Sequence, residues 1–320
     1  MTATQTFLKE YYESHYAERH FIVSESGEAE MINSYIPTKC PYCESVKFRK
    51  NGTTKSSIQR YKCVCGKTFI PTTGTIFDAH RISISEWMEY CLNLFRHVSI
   101  TAGSWNNKNS FTTSRYWLQK LFLTLEDVQK NIVLSDCVWL DETFYTVIFE
   151  DIVRKEDGSK LRGLSKNQIC IGVATDKQHT LFFEEGKGKP SQKKTFEVFK
   201  NHIKPGSILI HDKEFAHRKL VKELELKSIV NPSKDLKGLH DKDNPMNPVN
   251  RTHYILKKLL NAHSGFDRDN LQGFLNLFAF VTNPPVDKLE KVELLVNMAF
   301  QNPKLLRYRD YYRINTDSEE

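Results

Sequence analysis

The chain has 320 residues, 39% of them hydrophobic and 27% charged, with a net charge of +7. That length suits two or three domains with a sizeable core. No run of about 18 apolar residues occurs, which excludes a membrane-spanning helix, and the opening MTATQTFLKEYYESHYAERH lacks the apolar core of a secretory signal. Seven cysteines, an odd number, point to a reducing compartment and to thiol or metal chemistry over disulfides. The positive charge permits a polyanionic partner without requiring one.

Residues 1–35 are aromatic and charged and read as a helical extension, suited to dimerisation, to DNA or to covering the cysteine-bearing segment next to it. That segment, residues 36–78, carries two cysteine pairs. Cys40 and Cys43 are spaced C-x2-C, and Cys63 and Cys65 are spaced C-x-C. Two short knuckles joined by a hairpin supply the four soft ligands that a structural Zn²⁺ takes in a tetrahedron. The segment between them is expected to turn at Asn51-Gly52, a strong hairpin signal. Lys47, Arg49, Lys50, Lys55, Arg60, Lys62 and Lys67 crowd this zinc ribbon, and a platform so charged suits DNA phosphates. The bland alternative is a solvated surface. Cys91, Cys137 and Cys170 lie in apolar runs and read as core thiols.

Residues 79–130 read as two amphipathic helices around a polar turn. Ile84, Trp87, Met88, Cys91, Leu92 and Phe95 recur at helical spacing. ITAGSWNNKNS then reads as the turn. Trp117, Leu118, Leu121 and Phe122 form the inward face of the next helix. Thr112, Thr113, Ser114, Arg115, Tyr116 and Gln119 are expected to face outward at its start. This is the layout of a helix-turn-helix DNA reader; an ordinary helical hairpin is the alternative.

From about residue 131 the pattern is β-β-β-α-β-α-β-α. Three strands in succession, then alternation, imply a mixed five-stranded sheet covered by helices. That order is the one seen in the ribonuclease-H-like fold. Asp141 sits in the apolar first strand, where an unpaired charge is costly. Asp212 ends the fourth strand, where α/β sheets place functional groups. Strands one and four are neighbours in such a sheet, so the two aspartates are expected to converge as ligands for Mg²⁺ or Mn²⁺. The alternatives are a structural Asp141 and a helix-capping Asp212. On the long helix that follows, Asn250, His253, Tyr254 and Lys257 share one face. Asn250 is the expected third ligand and His253, a softer donor, its rival. Residues 286–320 read as a helical tail.

Together, the ribbon, the helix-turn-helix, TGTIF, WLDETFY, IHDKEF and VNRTHYILKKLLNAHSGFDRDNLQGFLNLFAFVTNPP resemble the zinc-ribbon ISXO-type transposases of bacterial insertion sequences, over residues 36 to 285. The resemblance implies a triad of two aspartates with glutamate or asparagine, and a lysine seven residues after the third member. Those roles fall on Asp141, Asp212, Asn250 and Lys257. Where glutamate-type relatives carry Glu, this chain has His253. The resemblance further implies binding of terminal inverted repeats in double-stranded DNA, metal-dependent strand cleavage, transfer of the freed 3′-hydroxyl to target DNA, and a homo-oligomer that synapses two ends. The setting implied is the prokaryotic cytoplasm, at the nucleoid. Two rival readings are a regulator that binds DNA without cutting it, and a ribonuclease-H-like nuclease without terminal-repeat preference.

Overall fold

The computed structural model describes residues 2–7, 10, 25–78, 83–212, 215–263 and 265–311. Most of the aromatic N-terminal stretch expected to be helical lies outside these residues, as do residues 312–320. The chain forms two compact units, Met1–Thr124 with Lys288–Glu320, and Leu125–Asp287.

In the first unit, helix α1 (Glu25–Ser34) precedes a small antiparallel sheet of β1 (Phe48–Thr53), β2 (Gln59–Cys63) and β3 (Thr68–Phe69). Phe48, Tyr61 and Phe69 pack ring against ring, with centroids 5.3 to 5.6 Å apart. With the buried Cys40 and Cys63 they form the core of this sheet. Asn51-Gly52 is not the turn. It lies inside β1 at an irregularity between Lys50 and Thr53, where Gly52 takes a φ of +67° that a side chain would strain. The reversal comes later, at 54–57. There the Thr54 hydroxyl accepts from the Ile58 N–H (3.0 Å) and the Ser57 N–H donates to the Thr54 carbonyl (3.1 Å).

Three helices follow rather than two. Between α2 (Ile84–Phe95) and α4 (Phe111–Thr124) lies α3 (Ile100–Asn106), in the stretch expected to be a turn. The Ser99 hydroxyl caps α3 by accepting from the Ala102 N–H. Gly103 brings its backbone against the Tyr90 ring, 3.6 Å from where a Cβ would stand. The turn proper is 107–110, with Lys108 at φ +50°. The Thr113 N–H then donates to the Ser110 hydroxyl at the start of α4. Trp87, Tyr90, Cys91, Trp117 and Leu121 are fully enclosed. The C-terminal helix Lys288–Gln301 packs against α2 and α4.

The second unit holds a mixed sheet of β4 (Cys137–Thr146), β5 (Gln168–Thr175), β6 (Thr180–Lys187), β7 (Ile208–His211) and β8 (Lys227–Val230), in the order β6-β5-β4-β7-β8. The first three strands pair antiparallel, and β7 and β8 continue parallel to β4. This order is compatible with a ribonuclease-H-like fold. One face of the sheet packs on α5 (Gln192–Phe199) and α6 (Arg218–Glu223), around Val138, Leu140, Phe199, Leu209 and Leu220. The other carries α7 (Asn247–Ala262), over β4 and β5, and α8 (Leu271–Thr282), whose Phe278 meets Phe182.

Candidate active site and metal centres

Two groups of His, Cys, Asp and Glu close enough to share an ion occur among the described residues: the four ribbon cysteines, and His211 with Asp212 and His217.

In the ribbon, tight turns fold each knuckle. The Glu44 N–H donates to the Cys40 carbonyl (2.9 Å), and the Gly66 N–H to the Cys63 carbonyl (3.0 Å), with Gly66 at φ +85°. The left-handed glycine lets the shorter C-x-C knuckle close. The sulfurs of Cys40, Cys43, Cys63 and Cys65 all lie within 4.8 Å of one another. Cys40 to Cys65 is 3.9 Å and Cys43 to Cys63 is 3.5 Å. A tetrahedral Zn²⁺ with bonds of about 2.3 Å sets sulfurs about 3.8 Å apart, so the cluster can hold the ion. Burial opposes ionisation of the Cys40 thiol, but the amides of Tyr42 and Cys43 and the neighbouring thiols bring it down to about 7. Around the cluster, Arg49, Lys50, Arg60 and Lys62 are all exposed. Arg49 and Lys62 stand directly opposite each other on β1 and β2, a like-charged pair that favours an anion across it.

Of the six residues expected to face outward at the start of α4, Arg115 is exposed and Thr112, Thr113 and Gln119 are half-buried. Ser114 is fully buried instead, because it falls on the stripe with Trp117 and Leu121 that packs on α2; its carbonyl accepts from the Tyr90 hydroxyl (2.8 Å). Tyr116 is half-buried, and its hydroxyl donates to the Leu306 carbonyl (2.7 Å).

In the sheet unit, the parallel pairing of β4 with β7, Leu140 opposite His211, brings Asp141 and Asp212 to corresponding positions on adjacent strands. Successive side chains of β4 point to opposite faces. Trp139, Asp141 and Tyr145 face α7: the Trp139 indole donates to the Pro245 carbonyl (2.8 Å) and the Tyr145 hydroxyl to the Leu260 carbonyl (3.2 Å). Glu142 faces the other way, into the layer of α5 and α6.

Asp141 keeps about a quarter of its side chain exposed. Burial, then the charges of Glu142 and Asp212, push its carboxyl up to about 7. Two carboxylates at corresponding positions on adjacent strands resist double ionisation, which a hard dication relieves. Asn250 and Lys257 are solvent-exposed on α7. His253 is the residue that reaches Asp141, with its Nδ1 3.8 Å from Oδ2. The expected common face therefore splits. Val249, His253, Leu256 and Leu260 follow the spacing of the buried stripe, and Asn250 and Lys257 sit beside it. Burial, reinforced by Lys257, lowers the His253 imidazole to about 4, and its enclosed Nε2 has no hydrogen-bond partner.

Behind the aspartates lies a network that the sequence pattern did not reveal. His217, fully enclosed, bonds Glu142 Oε1 through Nε2 (2.8 Å) and His211 Nδ1 through its own Nδ1 (2.9 Å). Burial disfavours its charged form, but Glu142, Asp212 and Asp141 outweigh that and raise its pKa. Burial and His217 hold His211 down at about 4. Glu185 on β6 accepts from the Thr195 hydroxyl (2.8 Å), while its buried Oε1 has no partner. Burial and the Glu142 charge raise Glu185 to about 7. Gly172 makes room for this carboxylate: a Cβ there would stand 2.4 Å from Glu185 Oε1. One signal was available. Glu142 and Glu185 also interrupt apolar strands, so the cost of burying charge that singled out Asp141 applied to them as well.

No known family and no curated protein matches the chain. Among solved structures, it is similar to a chain from the cryo-EM structure of a simian T-cell lymphotropic virus intasome in complex with PP2A regulatory subunit B56 gamma. The identity is 12%, over 59% of this chain and 66% of that one, with a TM-score of 0.29. The chain thus spans just under two thirds of that relative. It is also similar to a chain from a pre-cleavage Mos1 transpososome, at 8% identity over 69% of this chain and 79% of that one, with a TM-score of 0.23. No helix among the described residues is long and apolar enough to cross a membrane.

Proposed function

We propose that this chain is a DNA transposase of the insertion-sequence type, which cleaves DNA strands at terminal inverted repeats and joins the freed ends to target DNA. The observation that carries this reading is the convergence of Asp141 and Asp212 on adjacent parallel strands β4 and β7, with their charges coupled. Their oxygens are the hard donors that Mg²⁺ or Mn²⁺ takes. Such an ion, when bound, polarises the phosphodiester and stabilises charge on the attacking and leaving oxygens. Asp141 and Asp212 would hold it, with the His253 ring 3.8 Å from Asp141. Asn250, one turn before His253 on α7, would complete the ligand set from solvent. Lys257, exposed two turns further along α7, suits a substrate phosphate.

In this reading the first unit recognises the DNA. The ribbon offers Arg49, Lys50, Arg60 and Lys62 to backbone phosphates, and the α3–turn–α4 segment, read as a helix-turn-helix, offers Thr113 and Arg115 to the groove. Ser114 is too deeply buried for that role, and Tyr116 is engaged with Leu306. Cutting at two ends in concert calls for a homo-oligomer.

The test is cleavage of a labelled duplex carrying the terminal repeats that flank this chain's own coding region, with Mg²⁺ or Mn²⁺. Wild type is expected to nick the repeat end, and Asp141→Ala and Asp212→Ala to bind the same duplex without cutting it. Binding without cutting by wild type would replace this reading with that of a DNA-binding regulator. Cutting without preference for the repeat would replace it with a nuclease.

A further inference from the structure

The network behind Asp212 has features that a hydrogen-bonded histidine pair does not require. The two imidazoles present the same atom to each other, Nδ1 to Nδ1, at 2.9 Å. Their other nitrogens are both occupied: Nε2 of His217 by the Glu142 carboxylate at 2.8 Å, Nε2 of His211 by the Ser228 hydroxyl at 2.9 Å. Asp212 Oδ1 stands 4.0 Å from Nδ1 of His217. The three donor atoms thus lie within 4.8 Å of one another, and one side of the cluster is open through the partly exposed Asp212.

An imidazole that ligates a metal through one nitrogen typically gives its other N–H to a carboxylate or hydroxyl, which fixes the tautomer and aims the ring. Both rings here have that arrangement. Glu142 and Ser228 each engage the far nitrogen, leaving the two Nδ1 atoms turned toward each other and within 4.8 Å of the Asp212 carboxylate. Two imidazole nitrogens and one carboxylate oxygen, with an open position, form the donor set of a borderline-soft transition ion. Mg²⁺ takes oxygen ligands in preference to imidazole. Asp212 and Glu142 supply two negative charges to balance a dication in this otherwise enclosed place.

We propose that His211, Asp212 and His217 form a metal centre for a zinc-class dication, distinct from the ribbon cysteines and sharing Asp212 with the Mg²⁺ position beside Asp141. Because Asp212 belongs to both positions, an ion held by the histidines draws this carboxylate away from Asp141. Where the proposed cleavage activity holds, zinc beyond the ribbon equivalent is therefore an inhibitor.

The binding test needs no DNA, so its failure is distinct from failure of the transposase reading. Full-length protein with its ribbon already loaded with zinc is titrated with Co²⁺, which reports its ligands by colour. Wild type is expected to take one further equivalent, giving visible d–d bands without thiolate charge transfer. His211→Ala and His217→Ala should weaken that step at least tenfold, and Glu142→Gln by about 10- to 100-fold. Absence of the further equivalent, thiolate charge transfer accompanying it, or unchanged affinity in His211→Ala would overturn the proposal. A second measurement avoids any folding defect in the variants. Zn²⁺ added to the ¹⁵N-labelled wild-type chain should shift the Nδ1 resonances of His211 and His217. A response confined to others of the eleven histidines would overturn it equally.

Discussion

The ribbon cysteines come from two stretches, 40–43 and 63–65, each folded by its own turn. The groups around Asp141 come from β4, β6, the end of β7, the turn before α6 and α7, and span residues 141 to 253. The ribbon has little core beyond Phe48, Tyr61 and Phe69, so an ion there would be part of what keeps it folded. The sheet unit has an apolar core of its own, with Val138, Leu140, Ala174, Leu181 and Leu209 fully enclosed. It can carry repelling charges because that core stabilises the fold without them. With an ion bound, the cysteine-bearing sheet would thus depend on its ligands, whereas the sheet unit withstands the cost of holding its own.

The largest effect expected from this contrast is in the ribbon. Cys43→Ala should lose the zinc equivalent held by the ribbon cysteines and melt β1–β3. The stabilisation lost is on the order of 10 kcal/mol of ion binding. Zinc release assayed with a colorimetric chelator, followed by circular dichroism, checks it. A ribbon that stays folded without zinc would break the comparison.

Next is Asp212→Ala. Cleavage should fall by about a thousandfold or more, equivalent to about 4 kcal/mol of barrier, with no loss of thermal stability. A fall in melting temperature matching that of a core substitution would make Asp212 structural.

Gly172→Ala tests the packing around the buried carboxylate. Its Cβ would lie 2.4 Å from Glu185 Oε1 and 2.8 Å from the Phe199 ring. The expected loss is about 1–3 kcal/mol by urea unfolding. Gly172→Ala combined with Glu185→Ala should recover part of that loss if the carboxylate is the obstacle.

A similar magnitude, with the opposite sign, is expected for Asp141→Asn. The folded pKa of Asp141 is raised from 3.8 to about 7, so the folded state binds the proton more tightly than the unfolded state does. Its ionised form therefore costs stability above pH 7, and the cost fades as pH falls toward 4. Metal-free Asp141→Asn should be more stable than wild type by about 1–3 kcal/mol at pH 8 and by progressively less at pH 5. A pH-independent difference would remove the electrostatic cause. The smallest contrast is on α7. His253→Ala, which empties an enclosed site, should reduce cleavage and stability more than Asn250→Ala, whose stability should stay within about 0.5 kcal/mol of wild type.

Much of the mixed sheet was legible because strand and helix periods, and the apolar content of each segment, are local properties. The order of strands and helices is that of the ribonuclease-H-like fold, in which the first and fourth strands are neighbours, as β4 and β7 are here. The cysteine knuckles were legible because spacing alone restricts where four sulfurs can go. The short helix Ile100–Asn106 was hidden by its Gly and Asn content, which the Ser99 cap and the Tyr90 contact override. Asn51-Gly52 misled because a left-handed glycine serves a bulge as well as a turn.

The chain's pattern by itself thus determined most of the strands and which cysteines cluster, while the pairing that sets Asp141 beside Asp212 came from the likeness of the element order to the ribonuclease-H-like fold. Only the tertiary structure decided that His253 rather than Asn250 turns toward Asp141, since the phase of α7 against the sheet is set by packing of Val249, Leu256 and Leu260. It alone also gathered Glu142, Glu185, His211 and His217 behind the aspartates. Adjacent residues of a strand face opposite layers, and which distant groups share a layer depends on the assembled sheet.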